Sequence, residues 1–186
     1  MKNDLFSIGP FTVHGYGLMI AIGVLSAYYM VEYRAKKKQM DWEKVFPLTV
    51  WSVLGGFLGS KILYLLTRLP DILANPALLG SSIKDGFVVY GGIIGGILTA
   101  WIYCKCTKWN FWKIFDIAMP AVAMAQGFGR IGCLLAGCCY GIKLDSANPI
   151  GIVFHNSAYA PNDVALLPTQ IISSVLDFAN CFVLLA

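Results

Sequence analysis

Five apolar blocks, each about as long as a membrane-spanning helix, constrain this chain more than any other feature. A helix needs about 20 apolar residues to cross about 30 Å of hydrocarbon. The blocks cover residues 15–33, 45–66, 87–104, 114–135 and a stretch that opens at Leu166. Only 13% of residues are charged, against about 25% in a typical soluble domain. The sequence predicts an all-α integral membrane protein, a polytopic bundle of at least four to five transmembrane helices.

The two ends of the chain give further expectations. The first block follows Lys2 and Asp4 without a small-residue cleavage site after it, so we expect the first helix to be retained. The fifth block runs to Ala186 without a polar tail. We therefore expect a single transmembrane domain over residues 1–186 that forms the N-terminal part of a longer protein.

Basic residues indicate the topology. Residues 34–44 contain five and residues 105–113 contain three of the 14 Lys and Arg, whereas residues 67–86 carry balanced charges. Cytoplasmic loops are enriched in Lys and Arg. We therefore expect the two basic segments inside, and the N-terminus, residues 67–86 and an irregular loop over 137–165 outside. Because topology accounts for the positive charge, nucleic acid is not an expected partner.

Glycine recurs within the second, third and fourth blocks. The residues are Gly55, Gly56 and Gly59, then Gly91, Gly92, Gly95 and Gly96, then Gly127, Gly129 and Gly132. Small residues four apart allow helix backbones to approach closely, which promotes association in lipid. The spacing predicts helix packing for most of these glycines.

Arg130 lies within the fourth block and carries the strongest functional signal. A cation near mid-membrane costs at least ~2.5 kcal/mol. At about 1.5 Å per residue from Ile114, Arg130 lies about 24 Å across, near the outer face. A guanidinium at headgroup depth can bind phosphate oxygens in a bidentate way, so lipid phosphate is a candidate ligand. The structural alternative is an arginine whose stem packs in the bundle and whose head reaches the interface.

Two tyrosines are expected at a similar depth. Tyr16 begins the first block, and Tyr90 lies about one turn inside the third. Tyrosine is common at membrane interfaces without any catalytic role. Three polar side chains on three helices at one depth nevertheless predict a shared site.

The order of several motifs resembles a known family. The segments are SIGPFTVHGYGLMIAIG, GGFLGSKILYLL, FVVYGGIIGG, GRIGCLLAGCCYG and PTQ. In order and spacing they resemble the prolipoprotein diacylglyceryl transferases over essentially the whole chain.

This resemblance implies a bacterial cytoplasmic (inner) membrane protein with its site toward the outer leaflet. The implied reaction moves the diacylglyceryl group of phosphatidylglycerol to the lipobox cysteine thiol in a prolipoprotein signal peptide, and no cofactor or metal is expected. Arg130 matches the family's signature arginine, which would stabilise charge on the departing phosphate. Tyr16, Gly91, Gly92 and Gly129 match positions near the lipid.

Three positions depart from the family pattern. The family usually has Asn three residues and Glu eight residues after the arginine, where this chain has Cys133 and Cys138. It usually has a histidine before the glycine pair, where this chain has Tyr90. A neutral phenol, with a reference pKa near 10, is a poor base. Tyr90 is retained as a catalytic candidate, acting as a hydrogen-bond donor.

The cysteines leave alternatives open. Cys133 could form a disulfide with Cys138 or Cys139 if the helix ends between them. A metal site with His155 as fourth ligand is a weaker interpretation, because paired CxxC units are missing. Packing of small side chains is a third. The alternative function is a non-catalytic lipid-binding, or cysteine-based redox or metal, membrane protein on the same scaffold.

Overall fold

The computed structural model describes residues 4–8, 11–75, 86–145 and 148–186. In chain order the elements are β1 (Asp4–Ile8), β2 (Phe11–His14), α1 (Gly15–Lys37), a 3-10 turn (Trp42–Lys44), α2 (Val45–Thr67), α3 (Leu69–Ala74), α4 (Val89–Cys106), α5 (Phe111–Ala136), β3 (Ile152–Val153), β4 (Ala165–Leu166) and α6 (Thr169–Leu185).

Four helical segments are long and apolar enough to cross a membrane. They are Gly15–Lys37, Trp42–Thr67, Val89–Cys106 and Phe111–Ala136, and α6 is a shorter apolar helix at the fifth block. The predicted polytopic all-α membrane protein is confirmed. The helices form where hydrophobic blocks are longest because their backbone amides need partners within the same segment when water is absent.

The regions between the helices contain more structure than their sequence predicts. β1 and β2 pair antiparallel ahead of α1, and β3 pairs antiparallel with β4 inside the segment expected to be irregular. Of the predicted outward loops, residues 76–85 and 146–147 lie outside the described residues. The segment after α5 has a small core of its own, in which Phe154, Ala160 and Leu166 are buried together.

The chain forms two compact units, residues 1–34 with 116–186 and residues 35–115. In the second unit α2 and α4 pack closely along their glycines. A Cβ added at Gly59 would lie 2.9 Å from the Gly95 Cα, and one at Gly95 would collide with the Gly55 carbonyl. The predicted role of these glycines in helix packing is therefore confirmed.

In the first unit, α5 packs against both α1 and α6. A Cβ at Gly23 on α1 would lie 3.1 Å from the Ala125 carbonyl oxygen, so these two backbones are close. On the other side, the Ser174 hydroxyl of α6 donates a 3.0 Å hydrogen bond to the Gly127 carbonyl. The Phe178 ring occupies the space that a side chain at Gly127 would need. Gly23 of α1 and Gly127 of α5 thus allow α1 and α6 to pack closely against α5.

Adjacent glycines on α4 provide a test of this packing. Gly95→Ala should lower stability by about 1–3 kcal/mol, because its methyl would overlap the α2 backbone. Gly96→Ala is the matched control, since its Cβ would meet only the Ser52 carbonyl oxygen at an ordinary 3.5 Å. Thermal unfolding of both variants in detergent measures the difference. Equal unfolding midpoints would contradict the proposed seam.

Candidate functional site

Arg130 lies in the last two turns of α5, about 9 Å along the axis before Ala136. Its side chain is partly buried. Among the residues that the structure describes, none forms an ion pair or hydrogen bond with its guanidinium. Because partly buried cations normally acquire partners, an anion is a candidate ligand for this guanidinium.

Two glycines lie close to Arg130 in the sequence of α5, Gly129 and Gly132. Tyr16, the second residue of α1, packs at Gly132, where an added Cβ would lie 3.1 Å from its ring. An added Cβ at Gly129 would meet no described atom within 4 Å. Within this unit the structure brings Tyr16 to the same end of α5 as Arg130 and leaves space beside Gly129.

Tyr90, Gly91 and Gly92 belong to the other compact unit. Tyr90 is 75% exposed and is the second residue of α4, so it lies in the first turn rather than about one turn inside. The helix begins late because Val88 is extended, and its carbonyl accepts a 2.8 Å hydrogen bond from the Ser60 hydroxyl. That Tyr90 shares a site with Arg130 stays a prediction.

The glycine pair on α4, Gly91 and Gly92, packs against α2. Gly91 is buried, and an added Cβ would collide with the Gly59 carbonyl and lie 2.6 Å from the Leu63 Cβ. A Cβ at Gly92 would lie 3.4 Å from the Gly56 carbonyl oxygen. These contacts account for Gly91 through helix packing, and the predicted lipid contact of the pair remains untested.

The end of α5 brings three thiols together. Gly137, at φ +73°, ends the helix, with its N–H donating to the Leu134 carbonyl at 3.1 Å. The Cys138 N–H donates to the Cys133 carbonyl at 3.0 Å, which completes a Schellman motif and folds Cys138 over Cys133. The sulfurs of Cys133, Cys138 and Cys139 all lie within 4.8 Å of one another.

The structure narrows the alternatives for these cysteines. The helix ends between Cys133 and Cys138, as the disulfide interpretation required, but all three are free thiols. His155 is not in the thiol group, and its Nδ1 lies 2.7 Å from the Asp163 Oδ1. The interpretation with His155 as a fourth metal ligand was therefore wrong, because its ring nitrogens do not lie with the three converging sulfurs.

Polar side chains of the PTQ segment hold the two adjacent cysteines. The Gln170 amide donates a 2.7 Å hydrogen bond to the Cys138 carbonyl, and the Thr169 hydroxyl donates one of 2.8 Å to the Cys139 carbonyl. Gln170 is 1% exposed, and its Oε1 has no partner among the described residues. The motif was recognised in the sequence, but its contact with the cysteines was not predicted.

Asp177 is a polar residue that was not among the candidates predicted from the sequence. It lies on α6, and its buried Oδ2 has no hydrogen-bond partner in the described part of the chain. An ionisable residue inside an apolar block is itself a functional signal, so the sequence contained the means to find it.

Electrostatics keep the Cys138 thiol protonated. Burial raises the pKa of the Cys138 thiol above its ordinary value, and the nearby Cys139 raises it further. A thiol with a raised pKa loses its proton only at more alkaline pH, and the thiolate is the reactive form. Cys138 is therefore a poor nucleophile at neutral pH.

Together these features define a multi-pass helical membrane protein in which an arginine near the end of a spanning helix has no partner among the described residues. Residues 3–186 match the family described as prolipoprotein diacylglyceryl transferase. The chain belongs to this family.

Curated relatives agree over most of the chain. Proteins named phosphatidylglycerol–prolipoprotein diacylglyceryl transferase include one from Clostridium tetani, 45% identical over 100% of this chain and 73% of its own length. One from Clostridium perfringens is 43% identical over 96% of this chain and 69% of its own length. One from Dehalococcoides mccartyi is 32% identical over 89% of this chain and 63% of its own length.

The cap of α5 gives a testable prediction. Gly137→Ala should destabilise the protein by about 1–2 kcal/mol, because a left-handed conformation disfavours Cβ and the methyl would collide with Ser157. Gly17→Ala is the control, since its Cβ would meet nothing within 4 Å. Unfolding midpoints and maleimide labelling of Cys133 and Cys138 are the measurements. Unchanged labelling and stability in Gly137→Ala would show that the cap does not hold the thiols.

Proposed function

We propose that this chain transfers the diacylglyceryl group of phosphatidylglycerol to the lipobox cysteine thiol of a prolipoprotein signal peptide. The observation that carries the proposal is the Arg130 guanidinium, which is partly buried near the end of a spanning helix and has no partner among the described residues. Relatives named for this reaction support it. The proposed location is the bacterial cytoplasmic membrane, with the N-terminus and the site on the outer side.

In the proposed reaction the peptide thiol sulfur bonds to the glyceryl carbon as the carbon–oxygen bond to the phosphate breaks. The thiol proton is released, and glycerol phosphate leaves with the bonding electrons. Negative charge accumulates on the departing phosphate oxygens, and Arg130 offers a fixed fork of N–H donors to them. Arg130 thereby stabilises the transition state more than the bound lipid.

Tyr16 and Tyr90 supply hydroxyl groups in this proposal. Tyr16 packs at Gly132 on the same end of α5 as Arg130, where its phenol can donate to the lipid headgroup. Tyr90 is highly exposed at the start of α4, where its phenol can act as a hydrogen-bond donor rather than a base. Gly129, with open space at its Cα, allows lipid to approach beside Arg130.

A second candidate function follows from the thiol cluster. Cys133 and Cys138 stand where the family usually has Asn and Glu, and their sulfurs converge with that of Cys139. This observation favours a lipid-binding or thiol-based membrane protein that keeps the scaffold without the transfer chemistry.

A transfer assay separates the two functions. The purified protein is given labelled phosphatidylglycerol and a lipobox peptide, beside Tyr90→His and Cys138→Glu variants. We expect wild-type protein to form labelled peptide, because Arg130 and the family scaffold are retained. No wild-type transfer, with activity gained in the variants, would favour the second candidate.

Arg130 itself gives the sharpest quantitative prediction. Arg130→Ala should lower kcat by about 100- to 1000-fold, the usual loss on removing one charge-stabilising donor group. Arg130→Lys should recover only part of this, because an ammonium lacks the planar fork.

Arg68→Ala is the matched control, because Arg68 is an exposed arginine paired with Asp71 at 3.2 Å. It should transfer like wild type. Membrane insertion and unfolding midpoints establish that each variant is folded. Wild-type turnover in a folded Arg130→Ala protein would refute the phosphate role.

A further inference from the structure

We propose that Cys133, Cys138 and Cys139 together form a binding site for one thiophilic metal ion, Zn²⁺ or Cu⁺. The sequence favoured no metal and gave a cysteine site completed by His155 only as a weaker alternative, whereas the structure brings the three thiols together without His155. The convergence of three sulfurs, all within 4.8 Å of one another, carries the inference. It does not depend on the proposed transfer reaction.

The sulfur separations suit a single ion. A zinc–sulfur bond of about 2.3 Å places two thiolates of a tetrahedral site about 3.8 Å apart. The three sulfurs lie at most 4.8 Å apart, about 1 Å more than this spacing, so the side chains would have to move closer together to bind one ion.

Helix capping alone does not explain the cluster. A Schellman motif brings Cys138 to Cys133, since these positions ordinarily form its hydrophobic contact. Cys139 joins them through a separate feature, a φ of +57° that non-glycine residues seldom adopt. The Thr169 hydroxyl and the Gln170 amide, both from α6, hold the carbonyls of Cys139 and Cys138.

The donor set determines the class of ion. Thiolates favour Zn²⁺ and Cu⁺ over Mg²⁺ and Ca²⁺, which prefer oxygen ligands. Three protein ligands leave a further position on Zn²⁺ for water. The buried Oε1 of Gln170 has no partner among the described residues, and the amide nitrogen of the same side chain holds the Cys138 carbonyl.

Binding would exchange protons for metal. Each of the three S–H groups loses its proton to solvent as a metal–sulfur bond forms, without oxidation or reduction. Reducing conditions are therefore compatible with the site, and they prevent disulfides from competing for the same sulfurs.

Metal binding is measured on the purified, chelator-treated protein in detergent with a reductant. Equilibrium dialysis is performed against Zn²⁺ and, separately, against Cu⁺ under anaerobic conditions, with bound metal quantified by mass spectrometry. We expect one tightly bound equivalent of at least one of these ions. X-ray absorption should show sulfur scatterers at about 2.3 Å.

Cysteine variants locate the metal. A Cys133→Ala, Cys138→Ala and Cys139→Ala triple variant should lose the tight equivalent. The matched triple variant at the remaining free cysteines, Cys104→Ala, Cys106→Ala and Cys181→Ala, should retain it.

The single variant Cys139→Ala is included in case the triple variant misfolds. Its side chain is exposed, so we expect this variant to fold like the wild type. Its affinity for the metal ion should fall by more than about tenfold. Removing a hydrogen-bond partner of a metal ligand already causes a loss of this size, and here a ligand itself is removed. Failure of the wild type to bind either ion would overturn the proposal. Equal binding by the cluster triple variant and the wild type would also overturn it.

Discussion

The absence of water in the hydrocarbon region governs this structure more than any side-chain contact. Each backbone N–H and C=O there must be satisfied within the chain, so the long apolar segments become helices. Lipid provides no hydrophobic drive to associate those helices, which therefore rely on close packing. Glycine supplies that closeness, with Gly55 and Gly59 of α2 meeting Gly91 and Gly95 of α4.

Helix α5 carries both close packing contacts and the arginine that we propose binds the phosphate. Gly127 accommodates the Phe178 ring of α6, and Gly132 accommodates Tyr16 of α1. Arg130 lies between these two glycines in sequence, so its backbone is held by packing while its guanidinium keeps its donors available. Rigid support of this kind is what electrostatic stabilisation requires, since a fixed cation need not reorganise during the reaction.

The three departures from the family pattern differ in their physical meaning. By the resemblance, a histidine is expected where Tyr90 stands, and a neutral phenol accepts a proton less readily than an imidazole near neutral pH. By the resemblance, Asn and Glu are expected where Cys133 and Cys138 stand, so thiols take the place of two more strongly polar groups. Burial raises the pKa of the Cys138 thiol, so this thiol adds no negative charge at neutral pH. Arg130 thus keeps its positive charge unneutralised by its neighbours on the cap.

The sequence by itself determined the membrane class, the approximate helix bounds and the prominence of Arg130. These follow from local properties, because block length sets which segments can span hydrocarbon and a cation within such a block is conspicuous. Glycine spacing likewise predicted close packing, although the pairing of Gly59 with Gly91 required the structure.

The tertiary structure decided what depends on contacts distant in sequence. The β1–β2 hairpin, the late start of α4 at Val89 and the hydrogen bond from Gln170 to Cys138 were not predictable from local patterns. The thiol cluster belongs to this group, because three cysteines converge only once Gly137 ends α5 and α6 holds the following backbone. The contact between His155 and Asp163 was not predictable either, because the path of the loop between them determines whether their side chains meet.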